Sequence, residues 1–476
     1  MDAGLLIVAL IYAISFWTIS WKHPPVALAL IFAPAPFQND LSAGIGAVHF
    51  SFSEINLVLT LPLFITMLVM GRRRARVWPL FWVSAAYTLA CIASALVKWH
   101  GSNALSSFVQ LFLFLFVIVP IFAKMGERPS DLKPALWGMI GVGVFFSLAE
   151  LVYRSHYVFG IHKNGVGGSL ACCLIVAVEM WFHYRDKPSR HKFLLIGAMG
   201  VISMGLLLTL SRGGWLAAMS GIMVVTALRR QFGLLLRAGL VMIPLIAVAW
   251  SLVPQESREY ATGFGSDRGN IKARYINSDM ALAAWKTNFW FGDGLGLRKE
   301  LDATNLVVFT LGETGVVGLV TFAAMFVAFF AWLWRSRALL PREGFAFSLM
   351  AIGGGLMMSR LLQGMVDHYW ARGPTMMAWA AAGMASGALW YAPEGARDRL
   401  QRARALLSVH LLESLRRTRN GDQSLPKLTQ SELAAAQSAL AVMKRNGQPR
   451  FATMPRQPQE DDALSELAEQ LQSRRG

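Results

Sequence analysis

The sequence predicts an all-α fold: a polytopic integral membrane protein with about 12–13 transmembrane helices. Three observations carry that prediction. Of 476 residues, 55% are hydrophobic and only 15% are charged, with 16 tryptophans and 29 phenylalanines. Apolar runs of roughly 18 or more residues recur along most of the chain, each long enough to cross a bilayer. Basic clusters fall in alternate connections between those runs, as they do when one set of loops stays on the cytoplasmic side.

The first run, Leu5 to Ser20, lacks a basic start and a small-residue cleavage site, so it reads as a retained helix and not a signal peptide. Further spans are expected over 25–37 (a short run), 54–70, 79–97, 105–122, 135–153, 166–183, 194–210, 213–228, 233–253, 306–334, 345–365 and 374–391. The pair flanking Ser211 is joined by almost no loop. Residues 1–392 form the membrane domain, and 393–476 form a polar tail. The tail carries helical stretches over Ser431 to Lys444 and Asp462 to Gln472, separated by linkers containing Gly and Pro. Its basic start, Arg397 to Arg419, alternates with Leu and Val. That pattern reads either as an amphipathic helix on the inner membrane surface or as a solvated, disordered tail.

Arg72, Arg73, Arg74 and Arg76 lie on one side of the membrane. With them go Lys124, Arg128 and Lys133; Arg185, Lys187, Arg190 and Lys192; Arg229, Arg230 and Arg237; Arg335, Arg337 and Arg342; and the tail. Their agreement marks that side as cytoplasmic and puts the N-terminus outside if all thirteen runs span. The net charge of +17 would suggest nucleic acid in a soluble chain. Here much of the excess faces anionic lipid, so membrane lipids are the expected partner and nucleic acid is not. The three cysteines, Cys91, Cys172 and Cys173, sit in apolar runs, and no Cys/His spacing suggests a metal or a disulfide framework. No Walker loop, nucleotide fingerprint or HExxH motif is present, so no cofactor is expected.

The opposite face holds Gln38 to Ser53, Lys98 to Ala104, Arg154 to Gly165, Ser211 to Trp215, the long segment 254–305, and Gln363 to Arg372. The long segment carries Arg258, Arg268, Lys272, Arg274, Lys286, Arg298 and Lys299 on the side where basic residues should be scarce. A cationic loop there calls for an anionic ligand. Ser211-Arg212-Gly213-Gly214-Trp215 puts an arginine between apolar helices beside glycines whose backbone can face an anion. A snorkelling interfacial arginine is the plainer alternative. Lys272 and Arg274 begin an interfacial amphipathic helix that ends in Gly292-Asp293-Gly294-Leu295-Gly296. Their guanidinium and ammonium groups suit a diphosphate or, alternatively, outer-leaflet headgroups.

Further along, Asp302-Ala303-Thr304-Asn305 enters an apolar run bearing Glu313. Asn305 reads as a ligand contact or as a plain N-cap. Asp367-His368-Tyr369-Trp370-Ala371-Arg372 combines a carboxylate, an imidazole, a guanidinium and aromatic platforms. It suits a sugar-binding or base-bearing loop, or an interfacial aromatic belt. Tyr153-Arg154, His156 and His162-Lys163-Asn164-Gly165 form another cationic connection with turn chemistry.

Taken in order, these motifs resemble the O-antigen ligase and polymerase superfamily. The resemblance lies in Ser211-Arg212-Gly213-Gly214 between two helices, Arg274 ahead of Trp285, the Gly292 to Gly296 turn, Thr304-Asn305 opening a helix, and Glu313 to Gly318. It is close over about residues 160–330, and the helix count agrees throughout. The resemblance implies a metal-independent, inverting glycosyltransferase of the bacterial inner membrane. Its donor would be an undecaprenyl-diphosphate-linked glycan, its active site would face the periplasm and its C-terminus the cytoplasm. Arg212 and Arg274 would grip the donor diphosphate, with Lys163, Lys272, Asn305 and Arg372 completing the binding set. Ligases of this superfamily carry His before the helix-opening Asn, and here that position is Thr304, which cannot act as a general base. His368, Asp367 and Glu313 are then the catalytic candidates.

The departure at Thr304 favours a polymerase of exopolysaccharide or O-antigen repeat units, with a glycan chain as acceptor. A ligase to lipid A-core or to protein is the alternative within the same chemistry. A transporter or export scaffold, contacting other assembly proteins through its tail, is the alternative of another class. A transporter predicts paired charges near the midplane of two related halves, and no such halves are visible.

Overall fold

The computed structural model of the chain describes residues 3–37, 42–45, 48–70, 78, 80–125, 128–153, 157–233, 251, 255, 258, 269–297, 301, 305–337, 340–367 and 375–389. Among them the fold is all-α apart from two short antiparallel hairpins, Ser42–Ile45 with Val48–Ser51 and Tyr157–Val158 with Ile161–His162. The helices are α1 (Ala3–Lys22), α2 (Pro24–Phe32), α3 (Phe52–Val69), α4 (Phe81–Val97), α5 (Gly101–Phe112), α6 (Val119–Met125) and α7 (Lys133–Tyr153). They continue as α8 (Lys163–Tyr184), α9 (His191–Leu208), α10 (Arg212–Arg229), α11 (Gly269–Thr287), α12 (Leu306–Ser336), α13 (Phe345–Gly364) and α14 (375–389). Seven of the described helical segments are long and apolar enough to cross a membrane. Ile7, Leu10, Ile11 and Ile14 of α1 and Phe193, Leu194 and Ile196 of α9 are exposed, as side chains facing lipid would be.

The count of twelve or thirteen spans depends on whether the short run 25–37 crosses. The run expected over 25–37 forms only the nine residues of α2, with Pro24 and Pro25 in its first turn and a turn following Phe32. Nine helical residues reach about 14 Å, half of a hydrocarbon core of about 30 Å. The run does not cross as one helix, so the condition that placed the N-terminus outside is not met. The span expected over 105–122 lies within the long apolar helical segment Gly101–Met125. A wide turn, Leu113–Ile118, joins α5 to α6 just ahead of Pro120, whose missing N–H cannot close the regular ladder. The expected span 233–253 and the tail 393–476 lie almost wholly outside the described residues.

At the centre of the membrane domain α8, α10 and α13 pack against one another. Glycines bring the backbones close: a Cβ on Gly221 of α10 would stand 2.8 Å from the Gly355 carbonyl of α13. At one end of this trio, Glu179 of α8 accepts from Arg229 of α10, both side chains being buried. The guanidinium also donates to the Arg342 carbonyl at 2.8 Å and to Ser348 Oγ at 3.0 Å. Phe182 and Phe347 cover it at 5.5 and 5.2 Å. Lys133, His183 and Lys187 gather at the same end around Phe345 and Tyr184. Burial pushes the Lys187 ammonium below its ordinary range, and repulsion from Lys133 and Arg229 adds to that.

Candidate functional site

At the other end of the trio, the first turns of α8 and α10 meet the last turn of α13. The reversal from α9 into α10 takes three residues, with Leu210 in the left-handed region at φ +51°. Thr209 Oγ1 donates to the Leu206 carbonyl at 2.7 Å, and Trp215 Nε1 donates to the same carbonyl at 3.0 Å. Ser211 caps α10, its Oγ accepting the Gly214 N–H at 3.1 Å. A Cβ on Gly214 would stand 2.8 Å from the Gly167 carbonyl carbon, so the starts of α8 and α10 touch directly. Arg212 follows the cap, in the first turn and partly exposed.

Asp367 closes this junction. Its N–H donates to the Gln363 carbonyl at 2.9 Å, which keeps it on the end of α13. Its carboxylate lies over Gly213, where any Cβ would strike Oδ2. A carboxylate on the first turn of α10 is electrostatically favourable, because the unpaired amides there carry partial positive charge. The helix α11 supplies Arg274. Its Nη2 donates to Asp367 Oδ1 at 2.9 Å and its Nη1 to the Val366 carbonyl at 2.7 Å. Asn164 Nδ2 donates to the same Oδ1 at 3.2 Å. Asp367 is buried, while the Arg274 side chain remains 37% exposed. Lys272, two residues before Arg274 and so on the opposite side of α11, is exposed. Lys163 is buried beside Asn164, within electrostatic reach of Glu150.

Four predicted residues thus come together: Arg212, Arg274, Asp367 and Lys163, on the segments expected to share one face. Asn305 and Glu313 stand in a second arrangement. Asn305 caps α12, accepting the N–H groups of Val307 and Val308 at 2.9 and 3.2 Å, so the plainer reading of this residue accounts for its contacts. Glu313 is fully buried and accepts the Gly296 N–H at 2.7 Å. Its carbonyl accepts from Ser94 Oγ at 2.6 Å and from the Gly294 N–H at 3.1 Å. Gly292, Gly294 and Gly296 all have positive φ, and Lys98 ties Asp293 to the end of α4 at 2.7 Å. Glu313 therefore braces this glycine turn.

His368 and Arg372 lie outside the described residues, as do Asp302, Thr304, Arg154 and His156. The structure attaches three further residues to the cluster: Asn164, which the sequence placed in the His162 to Gly165 connection, and Gln363 and Arg360, which it did not single out. The signal for Arg360 was present, a lone arginine inside the apolar run 345–365. Gln363 gave none beyond its place at a helix end. No protein-family model matches the chain, and no curated protein matches it.

Proposed function

We propose that the chain is a membrane glycosyltransferase that polymerises undecaprenyl-diphosphate-linked repeat units at the periplasmic face of the bacterial inner membrane. The observation that carries this reading is the pairing of Arg274 with Asp367 over the first turn of α10, where Arg212 stands. Two arginines from separate elements thus border one helix N-terminus, and both are permanently charged. Guanidinium groups bind phosphate oxygens through paired hydrogen bonds, and helix N-termini favour anions. This is the chemistry a diphosphate leaving group requires.

In this reading the lipid tail of the donor lies in the bilayer and its diphosphate meets Arg212 and Arg274. The acceptor sugar hydroxyl attacks the anomeric carbon from the face opposite the diphosphate. The carbon–oxygen bond to the diphosphate breaks, and the arginines stabilise the charge that the leaving group gains. Asp367 holds Arg274 through Oδ1, which makes it a positioning group. His368 is the remaining candidate to take the hydroxyl proton.

The test is deletion of the gene in its host, with gel analysis of lipopolysaccharide and secreted polysaccharide and extraction of lipid-linked intermediates. Loss of long chains with single repeat units accumulating on the carrier is the expected result. Full-length chains stranded on the carrier, with bare lipid A-core, would make the protein a ligase. Unchanged glycan pools would remove the glycosyltransferase reading and return the transporter.

A further inference from the structure

Arg360 is fully buried in α13, two turns before Asp367. A permanently charged group inside a membrane-crossing helix is costly and is kept where it has a task. Its Nη1 donates to Gln363 Oε1. Gln363 Nε2 donates to the Asn164 carbonyl at 3.0 Å, and Asn164 Nδ2 donates to Asp367 Oδ1 at 3.2 Å. Arg274 completes the series by donating to the same Oδ1 at 2.9 Å. The orientation of each group follows from its chemistry. Arginine only donates, so the oxygen of Gln363 must face it and the amide nitrogen must face Asn164. The first turns of α8 make room for the series: at Gly168 any Cβ would strike both Gln363 and Arg360.

We infer that Arg360 is a positioning residue for the candidate site, acting through Gln363 and Asn164 on Asp367 and through Asp367 on the guanidinium of Arg274. The inference rests on the reading of Arg274 as a diphosphate-binding group. Arg360 has no exposed surface and acts only through its neighbours. The place of the surface arginine is thereby set from the interior of the helix trio.

The experiment uses the full-length protein in lipid nanodiscs with two readouts. One needs no activity: the rate at which phenylglyoxal modifies Arg274, followed by peptide mass spectrometry. The other is transfer from an undecaprenyl-diphosphate-linked repeat unit. Arg360→Met and Gln363→Met should raise Arg274 modification severalfold and lower kcat by about tenfold to a hundredfold, the scale of a displaced reacting group. Arg360→Lys should recover part of both.

In an Asp367→Asn background, adding Arg360→Met should change neither readout further, because residues acting in series are not additive. Additive effects, or unchanged Arg274 reactivity in Gln363→Met, would overturn the inference. Gln363→Met removes only the link, so it decides the matter if Arg360→Met does not fold. No transfer by the wild-type protein, with the labelling pattern as expected, would overturn the glycosyltransferase reading and leave the positioning role standing.

Discussion

The trio of α8, α10 and α13 carries a carboxylate–guanidinium pair at each end, and the two pairs are built differently. Arg229 and Glu179 are both buried, and the guanidinium is saturated by Glu179, the Arg342 carbonyl, Ser348 and two aromatic faces. Arg274 and Asp367 share one oxygen contact, and the guanidinium comes from a surface helix with 37% of its side chain exposed. A saturated buried pair has nothing left to offer a ligand. It fixes how three helices meet. A half-exposed arginine tethered by one carboxylate keeps donor capacity for something that arrives later. On the proposed reading, one end is structural and the other binds.

The most severe test of that assignment is Arg229→Met. Removing one partner of a buried pair leaves the other charge uncompensated, which costs about 3–5 kcal/mol. The variant should lose most of its thermal stability in detergent, and Glu179→Gln added to it should restore part. A stable but inactive Arg229→Met would break the comparison. Next come Arg212→Ala and Arg274→Ala, which should lower transfer by about 10²–10³-fold, as loss of one charge-stabilising group does. The midpoint of thermal unfolding should move little for the partly exposed Arg212 and further for Arg274, whose loss leaves the buried Asp367 carboxylate held by Asn164 and the first turn of α10. Arg274→Lys should also be poor, since a point charge does not replace a fork. Wild-type transfer by Arg212→Ala would remove the diphosphate clamp at its main residue.

What could be read from the sequence follows from what each signal depends on. Arg212 and Arg274 drew the eye in the sequence because cations beside long apolar runs stand out against composition alone. The seven long apolar segments were legible because a bilayer forces length and apolarity on each span. The nine residues of α2 were not, because a buried half-length helix and a full span have the same composition. Glu313 stood out because a carboxylate in an apolar run is expensive, and sequence cannot show that a glycine turn returns to supply its N–H partner. The link from Gln363 through Asn164 to Asp367 was missed because it lies in contacts 199 to 203 residues apart in sequence.

A smaller effect sharpens the division of labour within the long segment. Glu313→Gln keeps an oxygen to accept the Gly296 N–H, so stability and transfer should both stay near wild type. Glu313→Ala orphans a buried donor and should cost about 1–3 kcal/mol, with transfer falling only as far as folded protein is lost. Heat-denaturation curves normalised against activity per folded molecule would show this. Loss of transfer by Glu313→Gln at full stability would return the residue to the chemistry.

The smallest expected effect is at Asn305. The resemblance assigns it to substrate, and the contacts make it the cap of α12. These roles separate by substitution, because a cap needs only a short acceptor whereas a ligand contact uses the amide itself. Asn305→Asp and Asn305→Ser preserve the acceptor and should be nearly neutral in both stability and transfer. Asn305→Ala should lose about 1 kcal/mol and leave the KM for the donor unchanged. A raised donor KM in Asn305→Asp, which keeps the cap while removing the amide donors, would place Asn305 on the substrate and extend the binding end of the molecule from α10 to the entrance of α12.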